Sequence, residues 1–288
     1  MNCRATLQSE GDDRFLIDPQ AAIRELCHLI EHHMPAMAPV IRQPDADEYI
    51  LGADNQSFIT SLYQAIEYAS PEAGRFYWAA QSWNMLTWQP IILTLASVSL
   101  FNLAPDFSRI GIRLQGEMAA GLSLGENAFS DYSGVRAQVG STDIFCDPAH
   151  HLKTFLEQSL NDISVYYPIN RNLARRLFAD RVLSTLLLLQ SLSSQSVATA
   201  TQPYARLLNT QTEALAEYWL QALELEGASS LMRIPFQSDA FPEGERLALN
   251  RKGCCQHFRK ADGEVCASCP KNKIPERIRL IQESWSQA

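Results

Sequence analysis

The chain has 288 residues, 46% of them apolar and 19% charged, which excludes intrinsic disorder and a collagen-like fibre and allows one large domain or two small ones. Its 24 Lys and Arg against 32 Asp and Glu leave a formal charge of −8, so the chain as a whole repels phosphate backbones and no nucleic-acid partner is expected. The 7 cysteines are too sparse for a disulfide scaffold: Cys3, Cys27 and Cys146 are scattered, whereas Cys254, Cys255, Cys266 and Cys269 crowd near one end.

Taken in chain order, Met1 to Leu7 shows no apolar run behind basic residues and turns acidic at Glu10, Asp12 and Asp13. No export signal is read there, so a cytoplasmic, reducing setting is expected, in which clustered cysteines more often bind metal than pair. Asp18-Pro19 reads as an N-cap and first helical position, with Ile23, Leu26, Cys27, Ile30 and Met34 at helical spacing until Pro35. A Pro- and Asp-rich loop follows, then a helix marked by Phe58, Leu62, Ile66 and Ala69, and Ser70-Pro71 caps a third.

That third helix enters a stretch from Phe76 to Pro105 without one charged residue, long enough to span a bilayer. Gln81, Asn84, Gln89 and Pro90 within it, with three tryptophans in its first half, fit a buried helix broken near Pro90 better; contact with a membrane surface stays compatible with it. Beyond Pro105 the period changes to two: Arg109 to Leu114 alternates and Ala120 to Leu124 follows, which predicts a β-hairpin, with Val135 to Phe145 the place for further strands.

Asp147-Pro148 opens a helix through Leu152, Phe155, Leu156 and Ile163, and Asn170 caps another through Leu173, Leu177, Val182 and Leu186. After a Ser/Thr/Gln-rich link at 191–202 comes a helix carrying Leu207, Leu208, Leu215, Trp219 and Leu223, ended by Gly227. Leu231 to Phe236 reads as a short strand, and Pro275 starts a last helix through Ile278, Ile281 and Trp285. The expected fold class is α+β, predominantly helical with a small antiparallel sheet and a C-terminal cysteine segment. Residues 1–245 form the body and 246–288 the segment packed on it.

The cysteine motif is a double cysteine, ten intervening residues and a Cys-x2-Cys knuckle. Four thiolates suffice for a tetrahedral zinc site or for both irons of a [2Fe–2S] cluster, since soft sulfur suits either. Neighbouring side chains on an extended strand point to opposite faces. Cys254 and Cys255 can therefore share one metal ion only if the backbone bends, which Gly253 would permit. Zinc is the less natural fit, and it remains open on spacing alone.

The segment Arg251-Lys252-Gly253-Cys254-Cys255-Gln256-His257-Phe258-Arg259, followed by Cys266-Ala267-Ser268-Cys269-Pro270, resembles the ferric-siderophore reductase family of the ferrioxamine-reductase type. The match covers about twenty residues, including the aromatic-basic pair Phe258-Arg259. The resemblance implies a [2Fe–2S] cluster held by Cys254, Cys255, Cys266 and Cys269, and an oxidoreductase that passes one electron to Fe(III) in an imported siderophore and releases Fe(II). The body would bind the ferric siderophore.

Charge agrees with such a cofactor. Eight of the Lys and Arg but only four of the Asp and Glu lie in 250–288, so a basic tail adjoins an acidic body. Arg251, Lys252, His257, Arg259 and Lys260 are the candidates to surround the cluster or to dock an electron donor. No Gly-x-Gly-x-x-Gly, Walker loop or His-Glu-x-x-His appears, so electrons are expected from an external ferredoxin, flavodoxin or reductase. The pairs His28/His32 and His150/His151 are read as solvated or capping, and Trp83 and Trp88 as core. The competing reading is a non-catalytic interaction protein folded around a structural four-cysteine zinc site.

Overall fold

The computed structural model describes residues 18–116, 118–131, 146–195, 207–236 and 244–287. Cys3 and the expected strands at Val135 to Phe145 lie outside these. The fold is mixed α+β and mainly helical. Its helices are α1 (Pro19–His33), α2 (Gln56–Ala69), α3 (Arg75–Phe101), α4 (Cys146–Tyr166), α5 (Arg171–Gln195), α6 (Asn209–Ala222) and α7 (Ile274–Ser286). Its strands are β1 (Val40–Ile41), β2 (Leu103–Pro105), β3 (Ile110–Gln115), β4 (Met118–Leu124), β5 (Phe129–Asp131), β6 (Ser230–Pro235) and β7 (Glu245–Asn250).

The chain divides into two compact units, and α2, α3 and α4 each contribute to both. The first holds the described residues up to Leu62 together with Met85–Asp162. Here the expected hairpin forms: β3 pairs antiparallel with β4, Ile110 opposite Leu124, and β1 adds in parallel to give the order β1-β4-β3. A bulge between Ile112 and Leu114 twists the pair locally. Asp18 caps α1 as its sequence predicts, its carboxylate accepting from the Gln20 and Ala21 amides.

The uncharged stretch runs as one continuous helix to Phe101, and the expected break at Pro90 does not occur. Proline removes the bond to the carbonyl four residues back, at about 3 kcal/mol. Leu86, Ile91, Leu93, Leu95 and Ala96 around it are completely buried, and each large apolar side chain returns about 1.5–3 kcal/mol on burial. Packing wins over the local penalty. α3 is also the helix long and apolar enough, by length and composition, to cross a membrane, and most of its apolar window is buried inside the protein.

Two polar side chains of α3 are bonded to β4. The Gln89 side chain donates to the Ala119 carbonyl at 2.8 Å and accepts from the Gly121 amide at 2.9 Å, while Trp88 Nε1 donates to the same Ala119 carbonyl at 2.9 Å. These bonds join the helix to the irregular part of β4, where the bulge leaves backbone groups without ladder partners.

The second unit comprises Tyr63–Asn84 and the residues from Ile163 onward. Trp83 is fully buried, tilted against Phe178 at 6.2 Å, and its Nε1 donates to the Ala174 carbonyl at 2.9 Å. It is a core residue, as read from the sequence. α5 begins where Asn170 caps the Leu173 amide at 2.9 Å, and it continues to Gln195, into the segment expected to be a link.

α6 starts only at Asn209, leaving Leu207 and Leu208 ahead of it, and it does not stop at Gly227. Glu224 takes the left-handed conformation (φ 55°), with Leu225 N bonded to Leu220 O and Glu224 N to Gln221 O. This pair of bonds is a Schellman ending without glycine. The strand expected at Leu231 to Phe236 is β6, and its antiparallel partner β7 carries no alternation strong enough to have been read in advance.

Candidate metal centre

β7 delivers the chain to Arg251, and residues 251–273 then run without a regular helix or strand except for a 3-10 turn at His257–Arg259. Two backbone features shape this loop. Gln256 adopts the left-handed conformation (φ 64°), which turns the chain directly after the double cysteine. Gly263 lets the loop close on itself: a Cβ there would lie 2.0 Å from the His257 carbonyl oxygen. Gly253, expected to supply the bend, serves instead for close approach. A Cβ on it would stand 3.1 Å from both Asp180 Oδ2 and Leu177 Cδ2, so the glycine lets the loop lie against α5.

The four cysteines come together as two pairs. The Cys254 and Cys269 side chains are hydrogen-bonded neighbours, and so are those of Cys255 and Cys266. The double cysteine thus needs no bend that turns both sulfurs to one point; each is matched with a different member of the knuckle. The knuckle itself is a tight turn, with Cys269 N bonded to Cys266 O at 2.9 Å. Cys269 is buried, while Cys254, Cys255 and Cys266 are half-buried.

Backbone amides aim at one sulfur of each pair: Gln256 N–H donates to Cys254 and His257 N–H to Cys255. The Cys255 thiol is held well below its ordinary value, first by the bond from Cys266 and then by the His257 amide and Arg251, against the opposing effect of burial. Cys266, the donor of that pair, is shifted upward by the same bond and by burial, and burial also raises Cys254.

The donor chemistry fits a [2Fe–2S] cluster. Two irons need two thiolates each, and two pairs are present, with N–H groups already directed at sulfur as such clusters require.

The remaining candidates take distinct places. Arg251 is largely buried and reaches Cys266 Sγ with one guanidinium nitrogen at 3.5 Å. Lys252 donates to the Gly227 carbonyl at 2.8 Å. The exposed His257 ring lies edge-on to Tyr77 at 6.5 Å, and its contribution to the sulfurs is through its amide. Lys260 pairs with Asp262 at 3.4 Å.

Arg259 lies over both Phe76 and Phe258, at 5.6 and 5.7 Å, and Lys271 over Phe258 at 4.1 Å. Phe76, which the sequence reading did not single out, is 59% exposed and also carries Arg75 at 5.1 Å. Asp180 and Arg277, which bond Arg251, and Arg181, which lies near Cys255, were likewise not read. Their positions depend on contacts far apart in sequence.

Elsewhere, His151 Nδ1 is bonded to the Pro105 carbonyl at 3.1 Å and His28 lies 3.9 Å from Glu31, which agrees with ordinary roles for these histidines.

No solved structure matches the chain. Residues 251–271 match the family model of the FhuF 2Fe-2S C-terminal domain, the stretch in which the four cysteines pair. The cysteine segment is therefore similar to a FhuF-type 2Fe-2S domain, which suggests a [2Fe–2S] cluster as its cofactor.

Proposed function

We propose that this protein is a ferric-siderophore reductase that delivers one electron to Fe(III) in an imported siderophore and so releases Fe(II). The observation that carries the reading is the pairing of Cys254 with Cys269 and of Cys255 with Cys266 inside a FhuF-type 2Fe-2S segment. The four cysteines would be the ligands, and a bound [2Fe–2S] cluster supplies single-electron transfer. The residues around it do the rest. Arg251, Arg181 and the two amides stabilise negative charge on sulfur, and the half-burial of Cys254, Cys255 and Cys266 keeps the path to an outside acceptor short.

The electron balance is simple. An external donor, a ferredoxin, flavodoxin or reductase, loses one electron and the chelated Fe(III) gains it. No bond of the siderophore breaks, because Fe(II) binds hard oxygen ligands far less tightly than Fe(III). Arg75 and Arg259 over the exposed Phe76, with Lys271 over Phe258, suit an acidic donor. We place the chelate on the body formed by residues 1–245 and the activity in the cytoplasm, where an imported chelate meets reduced carriers.

Anaerobic purification tests this. The expected protein is red-brown, holds two irons per chain, gives a [2Fe–2S] spin-resonance signal when reduced, and is reoxidised by ferric siderophore with Fe(II) trapped by a chromogenic chelator. A colourless protein with stoichiometric zinc, or a reduced cluster that ferric chelates never reoxidise, overturns it.

A further inference from the structure

Asp180 is a buried carboxylate on α5, 3% exposed, that touches no cysteine. Ser229 Oγ donates to its Oδ1 at 2.5 Å, the Gly253 amide donates to it, and Arg251 Nε donates to Oδ2 at 3.2 Å. With one edge of its guanidinium fixed in this way, Arg251 turns the other edge to the Cys255/Cys266 pair, donating to Cys266 Sγ at 3.5 Å and also bonding Cys255. The main chain of Arg251 is held too: its carbonyl accepts from the buried Arg277 at 3.2 Å. Arg181, next along α5 from Asp180, adds a second cation close to Cys255.

This is a costly arrangement if it serves only the fold. A buried ion pair is weak support for stability, because desolvation of both charges offsets their attraction. The pair is also lopsided in placement. Its positive member touches sulfur and its negative member stands behind, so the two charges act on the site with unequal weight and opposite sign.

A four-thiolate iron–sulfur centre is anionic and gains a further negative charge on reduction. A guanidinium at its sulfurs stabilises the reduced form more than the oxidised one, and a carboxylate does the reverse. The contact of Arg251 with Cys266 places the effect on the Cys255/Cys266 side.

We propose that Arg251, aimed by Asp180 at Cys255 and Cys266, sets the reduction potential of the centre. Arg251 is a positioning residue in this sense, since it acts through the sulfurs and not on the chelate. The inference rests on the [2Fe–2S] reading of the four cysteines and adds to it the buried pair that tunes the couple.

The test is a redox titration of the purified full-length protein, followed by visible absorbance and by the spin-resonance signal of the reduced form. Arg251→Gln is expected to make reduction harder, shifting the equilibrium with a fixed donor at least about tenfold, which for one electron is about 59 mV. Asp180→Asn is expected to move it the other way, by less, because the carboxylate lies one residue further from sulfur. Arg251→Lys keeps the charge and is expected to stay nearer wild type than Arg251→Gln. Arg279→Gln removes the same charge from the exposed face of α7 and is expected to leave the potential in place.

A purely structural pair predicts something else: lower cluster content in both variants with an unmoved potential. That result overturns the proposal. Should Arg251→Gln fail to fold, Asp180→Asn and Arg251→Lys decide it, an unmoved potential in Asp180→Asn counting against it. A zinc-loaded wild-type protein would instead remove the reading beneath, so the two failures are distinguishable.

Discussion

The central helix α3 and the cysteine loop at 251–273 hold their backbones by opposite means. In α3 the side chains do the work: Trp83, Leu86, Ile91, Leu93 and Leu95 are fully buried, and even the missing bond at Pro90 does not interrupt the helix. In the loop almost no apolar surface is buried. Its shape comes from sulfur pairs, amides aimed at sulfur, an ion pair from α5 and two glycines that close approach demands. The difference teaches where each region is vulnerable. Burial is spread over many atoms and tolerates a local defect, whereas a loop held by a few directional contacts fails when one is removed.

The largest expected effect is on the loop. Cys269→Ser should abolish the visible absorbance and strip hydrogen-exchange protection from 251–271 while the amides of α3 exchange as in wild type. Loss of protection across α3 as well would erase the contrast.

Next comes the reverse experiment. Trp83→Ala should lower the unfolding free energy by about 3–5 kcal/mol in a urea titration, because it leaves a cavity beside Phe178 and removes the bond to the Ala174 carbonyl. The variant that remains folded should carry as much iron per chain as wild type. A loss of iron in proportion to stability would show that the two regions are not separable.

A smaller effect is expected at the glycine that closes the loop. Gly263→Ala places a methyl group against the His257 carbonyl and should cost about 1–3 kcal/mol locally. Iron should be extracted by a chelator roughly tenfold faster, with little change in the global unfolding midpoint.

The smallest concerns Cys27 on α1, a thiol held by burial and not by sulfur partners. Burial, with the nearby Glu31, pushes it up from 9.0 to about 11. Its thiolate at pH 8 is then about a hundredfold rarer than that of a free cysteine, and alkylation by iodoacetamide should be slower by that factor. The sign for stability follows: a thiol whose folded value is raised favours the fold fully below the unfolded value, and that contribution is lost as pH rises through about 11. Rapid alkylation of Cys27 in the native protein would place it outside the buried class.

Much of the fold was legible because the signals are local. Asp18 and Asn170 cap the helices they announce, and the alternation at Arg109 to Leu114 becomes the β3–β4 hairpin. Where a distant contact competes, local rules fail. Pro90 predicts a break that burial overrides, Gly227 is passed over for a left-handed Glu224, and β7 forms only because β6 offers it a partner.

The site divides along the same line. Spacing alone singled out Cys254, Cys255, Cys266 and Cys269 as candidate ligands of one centre, because thiolates this close in sequence can meet in space at little entropic cost. Spacing left zinc and [2Fe–2S] both open. Tertiary structure decided which cysteine meets which, and that Asp180, seventy-one residues before Arg251, turns a basic residue of the tail toward sulfur. Local sequence carries backbone preference and ligand type. The placing of one charge against another depends on how α5 packs, and no window along the chain contains that.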